Sequence, residues 1–97
     1  MPSYIALGTF TDQGARTVKD TTKRADAVRD MAGRFGVTIK SIHWTLGQYD
    51  VVTFCEATDE ASATAFGLAL ASAGNVRTET LRAFSKDEMA AILAKLP

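Results

Sequence analysis

Apolar and polar positions fall into segments of two periods along the chain. Tyr4 to Phe10 (YIALGTF) is short and mostly apolar, which predicts a strand. The polar stretch TDQGARTVKD, residues 11–20, reads as a loop or a short irregular helix carrying Ala15 and Val18. In TTKRADAVRDMAGRFG, residues 21–36, Val28, Met31, Ala32 and Phe35 recur at helical spacing and predict an inward stripe. Asp26 with Arg29, and Asp30 with Arg34, place opposite charges on the outer face. Asp20 or Thr21 can cap this helix, and Gly36 suits a left-handed stop. VTIKSIHWTL (37–46) and YDVVTFCEA (49–57) predict two strands. Gly47-Gln48 between them fits a two-residue hairpin turn of type II′. Thr58, Asp59 and Glu60 open a second long helix, ASATAFGLALASA, which stops at Gly74-Asn75. VRTETLRAF (76–84) is a fourth strand, and Ser85 to Glu88 is a capping box for a last helix. Met89, Ile92, Leu93 and Leu96 lie on one side of that helix.

The order is β-α-β-β-α-β with a C-terminal helix, within a single domain of residues 1–97. It predicts an α+β fold of ferredoxin-like arrangement: a four-stranded antiparallel sheet, two helices on one face, and a short C-terminal helix. A two-residue turn sets the hairpin so that Leu46 faces Tyr49, Trp44 faces Val51 and Ile42 faces Thr53. Ile39, Ser41, His43, Thr45, Asp50, Val52 and Phe54 then share the opposite face. Both faces carry large apolar side chains, and a monomer would leave one of them wet. The expectation is a second subunit over the sheet, in a homodimer or a higher homo-oligomer. The second long helix agrees, because residues 61–76 hold no charge on any side.

Composition narrows the function classes. The chain has 97 residues, 46% of them apolar, with 11 basic and 11 acidic side chains. That balance lacks the basic footprint of a nucleic-acid or anionic-membrane binder. The charge-free run is too weakly apolar to span a bilayer, and no signal peptide precedes the first strand. A lone cysteine, Cys55, excludes an intramolecular disulfide. The expected location is the cytoplasm.

Candidate chemistry is sparse. His43, the one histidine, can act as a base or a haem ligand, but without companion ligands it reads first as a hydrogen-bonded structural side chain. Trp44 and Tyr49 can flank an aromatic ligand or anchor a core or an interface. Asp50 can bind a ligand cation, accept from nearby backbone, or pair with an arginine. Arg77 can clamp a carboxylate, or protect an edge strand together with Glu79 and Arg82. Cys55 sits mid-strand in apolar surroundings and reads as inert. If Met1 is removed, Pro2 presents a secondary amine of the kind tautomerases use, but Ser3-Tyr4 carries no tautomerase context. His43, Trp44, Tyr49, Asp50 and Arg77 are therefore the candidates for binding a small molecule. No catalytic residue, metal site or cofactor is assigned.

Gly47-Gln48-Tyr49-Asp50 within WTLGQYDVV resembles the turn that gives the GYD-domain family its name. PSYIALGTFTDQG (2–14), the acidic opening of the second long helix, and LRAFSKDEMAAIL (81–93) are similar to the same family. The resemblance implies a ferredoxin-like fold that associates as a dimeric α/β barrel, and it carries no catalytic residue set. The broader barrel group holds cofactor-independent monooxygenases, haem-degrading enzymes and amino-acid-sensing domains, and the GQYDVV hairpin resembles that of the sensing domains. The leading expectation is non-catalytic binding of a small molecule or protein partner. The alternative is a cofactor-independent monooxygenase or isomerase with its site between sheet and helices.

Overall fold

The computed structural model describes residues 1–97. Strands β1 (Ser3–Phe10), β2 (Val37–Trp44), β3 (Val51–Ala57) and β4 (Val76–Ala83) form one antiparallel sheet in the order β2-β3-β1-β4. The helices are α1 (Asp12–Arg16), α2 (Thr21–Ala32), α3 (Glu60–Ala73) and α4 (Lys86–Leu93). This α+β arrangement fits a ferredoxin-like fold.

Local chemistry explains the helix limits. Thr11 caps α1 by accepting from Gly14 N at 3.1 Å. A 3-10 turn, Val18–Asp20, leads into α2, and Asp20 stands at its start without a side-chain cap bond. Asp59 caps α3 by accepting from Ser62 N at 2.7 Å. That bond holds the Asp59 carboxyl below its usual range. Gly74 ends α3 with φ of 88°, and Gly36, with φ of 74°, ends the 3-10 turn Gly33–Phe35 that continues α2. The capping box of α4 is complete, with Glu88 N donating to Ser85 Oγ and Ser85 N to Glu88 Oε1.

The core lies between the sheet and α2 and α3. Tyr4, Ala32, Val37, Ile39, Cys55, Ala57 and Phe66 are buried there, with Val28, Met31 and Phe35 packed against them. The spacing of apolar residues in β2 explains its shape. Val37, Ile39, Ile42 and Trp44 all belong on the helix side, yet strict alternation cannot carry both Ile39 and Ile42 to one face. The register shifts between Ile39 and Ser41, and this bulge reconciles them. Lys40 sits at the irregularity, its ammonium 3.4 Å from Glu56. Ile39 therefore joins the core, and is not on the face of Ser41 and His43 as strict alternation predicts.

The hairpin also differs from the tight turn expected. Trp44 faces Val51 and Ile42 faces Thr53 as expected, but the strands part after Trp44 and a loop spans residues 45–50. Thr45 N donates to Asp50 O, while Asp50 N turns away to Gly8 O at 2.8 Å. With Asp50 committed to β1, Leu46 cannot pair with Tyr49, and its side chain stands fully in solvent. Gly47 adopts φ of 121° in this loop.

The second face of the sheet has no helix over it. Two cross-strand rows run along it: Ser41–Phe54–Ile5–Leu81 and His43–Val52–Leu7–Glu79. Phe54 is 42% and Leu81 45% exposed. At the chain end α4 makes little contact with the other elements, and Met89, Leu93 and Leu96 are exposed. The radius of gyration, 14.6 Å, accordingly exceeds the ~12.5 Å of a compact chain of this length.

The close approach of α1 to the segment before β4 gives a test. A Cβ on Gly14 would lie 2.0 Å from the carbonyl oxygen of Asn75, whereas one on Gly33 would meet nothing. Gly14→Ala is expected to destabilise the fold by about 1–3 kcal/mol, the usual range for overpacking. Gly33→Ala should stabilise it by about 0.4–1 kcal/mol through the unfolded chain. Urea melts of both variants check the opposite signs.

Candidate functional site

The five candidate ligand-binding residues do not form one cluster. His43 stands on the open face, edge-on to Phe54 with ring centroids 6.4 Å apart. Arg77, opposite Thr9, is exposed on that face, and neither ion pair of the chain involves it. Tyr49 donates its hydroxyl to Glu79 Oε2 at 2.7 Å. Asp50 accepts from Phe10 N through Oδ2 at 2.9 Å. Trp44 points to the helix side, where Nε1 donates to Thr21 Oγ1 at 3.0 Å.

Two of these geometries set charge and proton behaviour. The Tyr49 phenol is pushed above its ordinary value, chiefly because its hydroxyl donates to Glu79. Burial pushes the Cys55 thiol up in the same sense, away from the reactive thiolate. No group of three or more His, Cys, Asp or Glu side chains is placed to hold a metal ion.

Behind Trp44 lies a cavity of about 110 Å³ between α2, α3 and the sheet, lined mainly by apolar side chains such as Phe10, Val28, Ile42, Val51 and Leu70. Its polar lining includes Thr21 and Arg24. Arg24 is already engaged, donating to Thr17 O and Thr17 Oγ1 at 2.8 Å and to Gly14 O at 3.2 Å, with its guanidinium 5.9 Å above the Phe10 ring. The sequence marked Trp44 as a candidate without fixing its face, and it did not mark Thr21, Arg24 or Phe10. Arg24 is one of several charges along α2, and nothing in the pattern separates it from a solvated one. At the other end of the sheet Arg82 lies over Tyr4 and Phe84, donates to Ser3 O and Ala83 O, and pairs with Glu88 at 3.6 Å. Arg82 is thus the link between β4 and the cap of α4.

Residues 4–93 match the GYD domain family. The chain belongs to that family. A curated relative from Thermus thermophilus, the "glutamine synthetase and cystathionine beta-lyase binding protein", is 38% identical over 94 residues, which cover 96% of this chain and 99% of the relative. No solved structure matches the chain. No helix is long and apolar enough to cross a membrane.

In this GYD domain the motif residues Gly47, Tyr49 and Asp50 have separable structural tasks. Gly47 supplies a positive φ, Tyr49 reaches Glu79 of β4, and Asp50 extends the bonding between the loop and β1 beyond the ladder. The motif thereby ties the loop after β2 to the two strands farthest from it in the sheet order. The six-residue opening of the loop gives Tyr49 this reach, which a two-residue turn would deny it.

Two tests follow from this geometry. Because the folded phenol is raised, the Tyr49–Glu79 bond contributes fully below the unfolded phenol value of about 10 and is lost as pH rises through the folded value. Glu79→Gln is expected to bring the Tyr49 titration down toward the ordinary value, followed by its ring signals in NMR. Asp50→Asn keeps an acceptor for Phe10 N and should cost no more than about 1 kcal/mol, whereas Asp50→Leu strands that donor and should cost about 1–3 kcal/mol. Denaturant melts rank the pair.

Proposed function

We propose that this protein is a non-catalytic, cytoplasmic binding protein that works as a homodimer and docks on enzymes such as glutamine synthetase or cystathionine β-lyase. The full-length likeness to the Thermus thermophilus binding protein carries this reading. Two physical features support it. The open sheet face presents Phe54, Ile5 and Leu81 in one row, and covering the exposed half of apolar side chains of this kind stabilises an assembly by about 1 kcal/mol each. A second copy covers this row and its equivalent together, giving the dimeric α/β barrel. The α4 segment, held away from the sheet with Met89 and Leu93 exposed, offers a separate apolar helix face for the enzyme.

The polar groups favour binding over chemistry. Tyr49 and Glu79 satisfy one another, Asp50 holds backbone, and His43 packs on Phe54. The cavity behind Trp44 is the feature that favours the second reading, a cofactor-independent monooxygenase or isomerase. Its lining holds Arg24 but no carboxylate or histidine to act as base, so binding is the better account.

Light scattering on the purified protein is expected to give twice the chain mass at micromolar concentration, and Phe54→Glu should return it to the monomer. Biolayer interferometry against purified glutamine synthetase and cystathionine β-lyase is expected to show saturable binding to at least one. Replacing Met89 and Leu93 by Ser should weaken that binding while leaving the dimer intact. No binding to either enzyme overturns the partner assignment, and a monomeric mass overturns the dimer.

A further inference from the structure

The cavity behind Trp44 has a smaller neighbour. An inner chamber of about 40 Å³ lies deeper against the sheet, and Tyr4 is part of its wall. Val28, Thr53 and Leu70 line both chambers, so these side chains form the partition between them. Small residues account for the space. Ala25 and Ala73 border the outer chamber, and Ala6, Ala63 and Gly67 the inner one.

Tyr4 supplies the second observation. Its side chain is only 6% exposed, and its hydroxyl is buried with no hydrogen-bond partner. An unsatisfied buried hydroxyl is costly, and native interiors rarely leave one without a purpose. Phenylalanine would fill the same volume without that cost. The rest of the lining is apolar apart from the hydroxyls of Thr53 and Thr80 and the Cys55 thiol, which stand on the sheet beside Tyr4.

We propose that the two chambers together form a binding site for a small neutral aromatic molecule carrying one hydrogen-bonding oxygen, with its ring behind Trp44 and its oxygen on the Tyr4 hydroxyl. Apolar cavities on the order of 150 Å³ hold one benzene-sized molecule, which sets the size class. Neutrality follows from the lining: the one charged side chain, Arg24, stands among partners it already serves, and no free charge faces the interior. Rotation of Leu70 joins the chambers. The site lies on the helix side of the sheet, so it stays available when the open face is covered, and it does not depend on the proposed docking function.

Phenol and toluene test this directly, since they match in shape and differ in a hydroxyl against a methyl. Trp44 is the single tryptophan, and its emission reports occupancy of the outer chamber. Phenol is expected to shift Trp44 emission saturably and to bind several-fold tighter than toluene, against their order of hydrophobicity. Tyr4→Phe should abolish that preference while toluene binding is kept. Ala25→Leu, which fills the outer chamber, should weaken both by at least tenfold, with thermal melting used to establish that each variant is folded. A wild-type protein whose Trp44 emission responds to neither compound at millimolar concentration overturns the proposal and leaves the chambers to water. Equal phenol preference in Tyr4→Phe overturns the assignment of Tyr4, and undiminished binding in a folded Ala25→Leu protein overturns the location.

Discussion

Helices on one side of a four-stranded sheet cover one face and leave the other to solvent, and most of this molecule is arranged around that asymmetry. The covered face collects Tyr4, Ile39, Cys55 and Val37 against α2 and α3. The open face keeps Ile5, Leu7, Val52, Phe54 and Leu81 at the surface, interrupted by His43, Glu79 and Arg77. A chain this short has little apolar material to spare, so a wet apolar row is a standing cost unless something covers it. The bulge at Lys40 sharpens the division, because it draws Ile39 and Ile42 to the helix side and leaves Ser41 and His43 outside.

Asp50 and Tyr49 keep the divided sheet in register at its far end. The ladder between β2 and β3 gives out after Trp44, and the contacts that replace it run to other strands: Asp50 to Gly8 and Phe10 of β1, Tyr49 to Glu79 of β4. Long-range bonds of this kind fix the position of a loop that would otherwise be free. They also hold one wall of the cavity steady, since Phe10 and Val51 adjoin the Asp50 brace and line the space behind Trp44.

Much of this was legible in the chain. The Ser85–Glu88 capping box, the glycine stops at Gly36 and Gly74, the stripe of Val28, Met31 and Ala32, and the pairing of Trp44 with Val51 all rest on local chemistry that tertiary context did not override. The apolar spacing 37, 39, 42, 44 also contained the bulge, although strict alternation hides it. The loop at residues 45–50 could not be read, because what opens it is Asp50 bonding to β1, a partner forty residues away in sequence. Trp44 was assigned as a candidate without knowledge of its face. The orphan hydroxyl of Tyr4 left no trace in the pattern, since a tyrosine in an apolar strand looks like any other aromatic core residue.

Cys55 sits on a central strand, buried among side chains that exclude solvent, with its thiol pushed toward the protonated form. A reagent too bulky for the inner chamber that Cys55 lines can reach it only when the core opens. The residue is therefore a chemical clock: its rate of alkylation counts openings of the core, and any ligand or partner that binds only the closed protein slows the count in proportion to how tightly it is held.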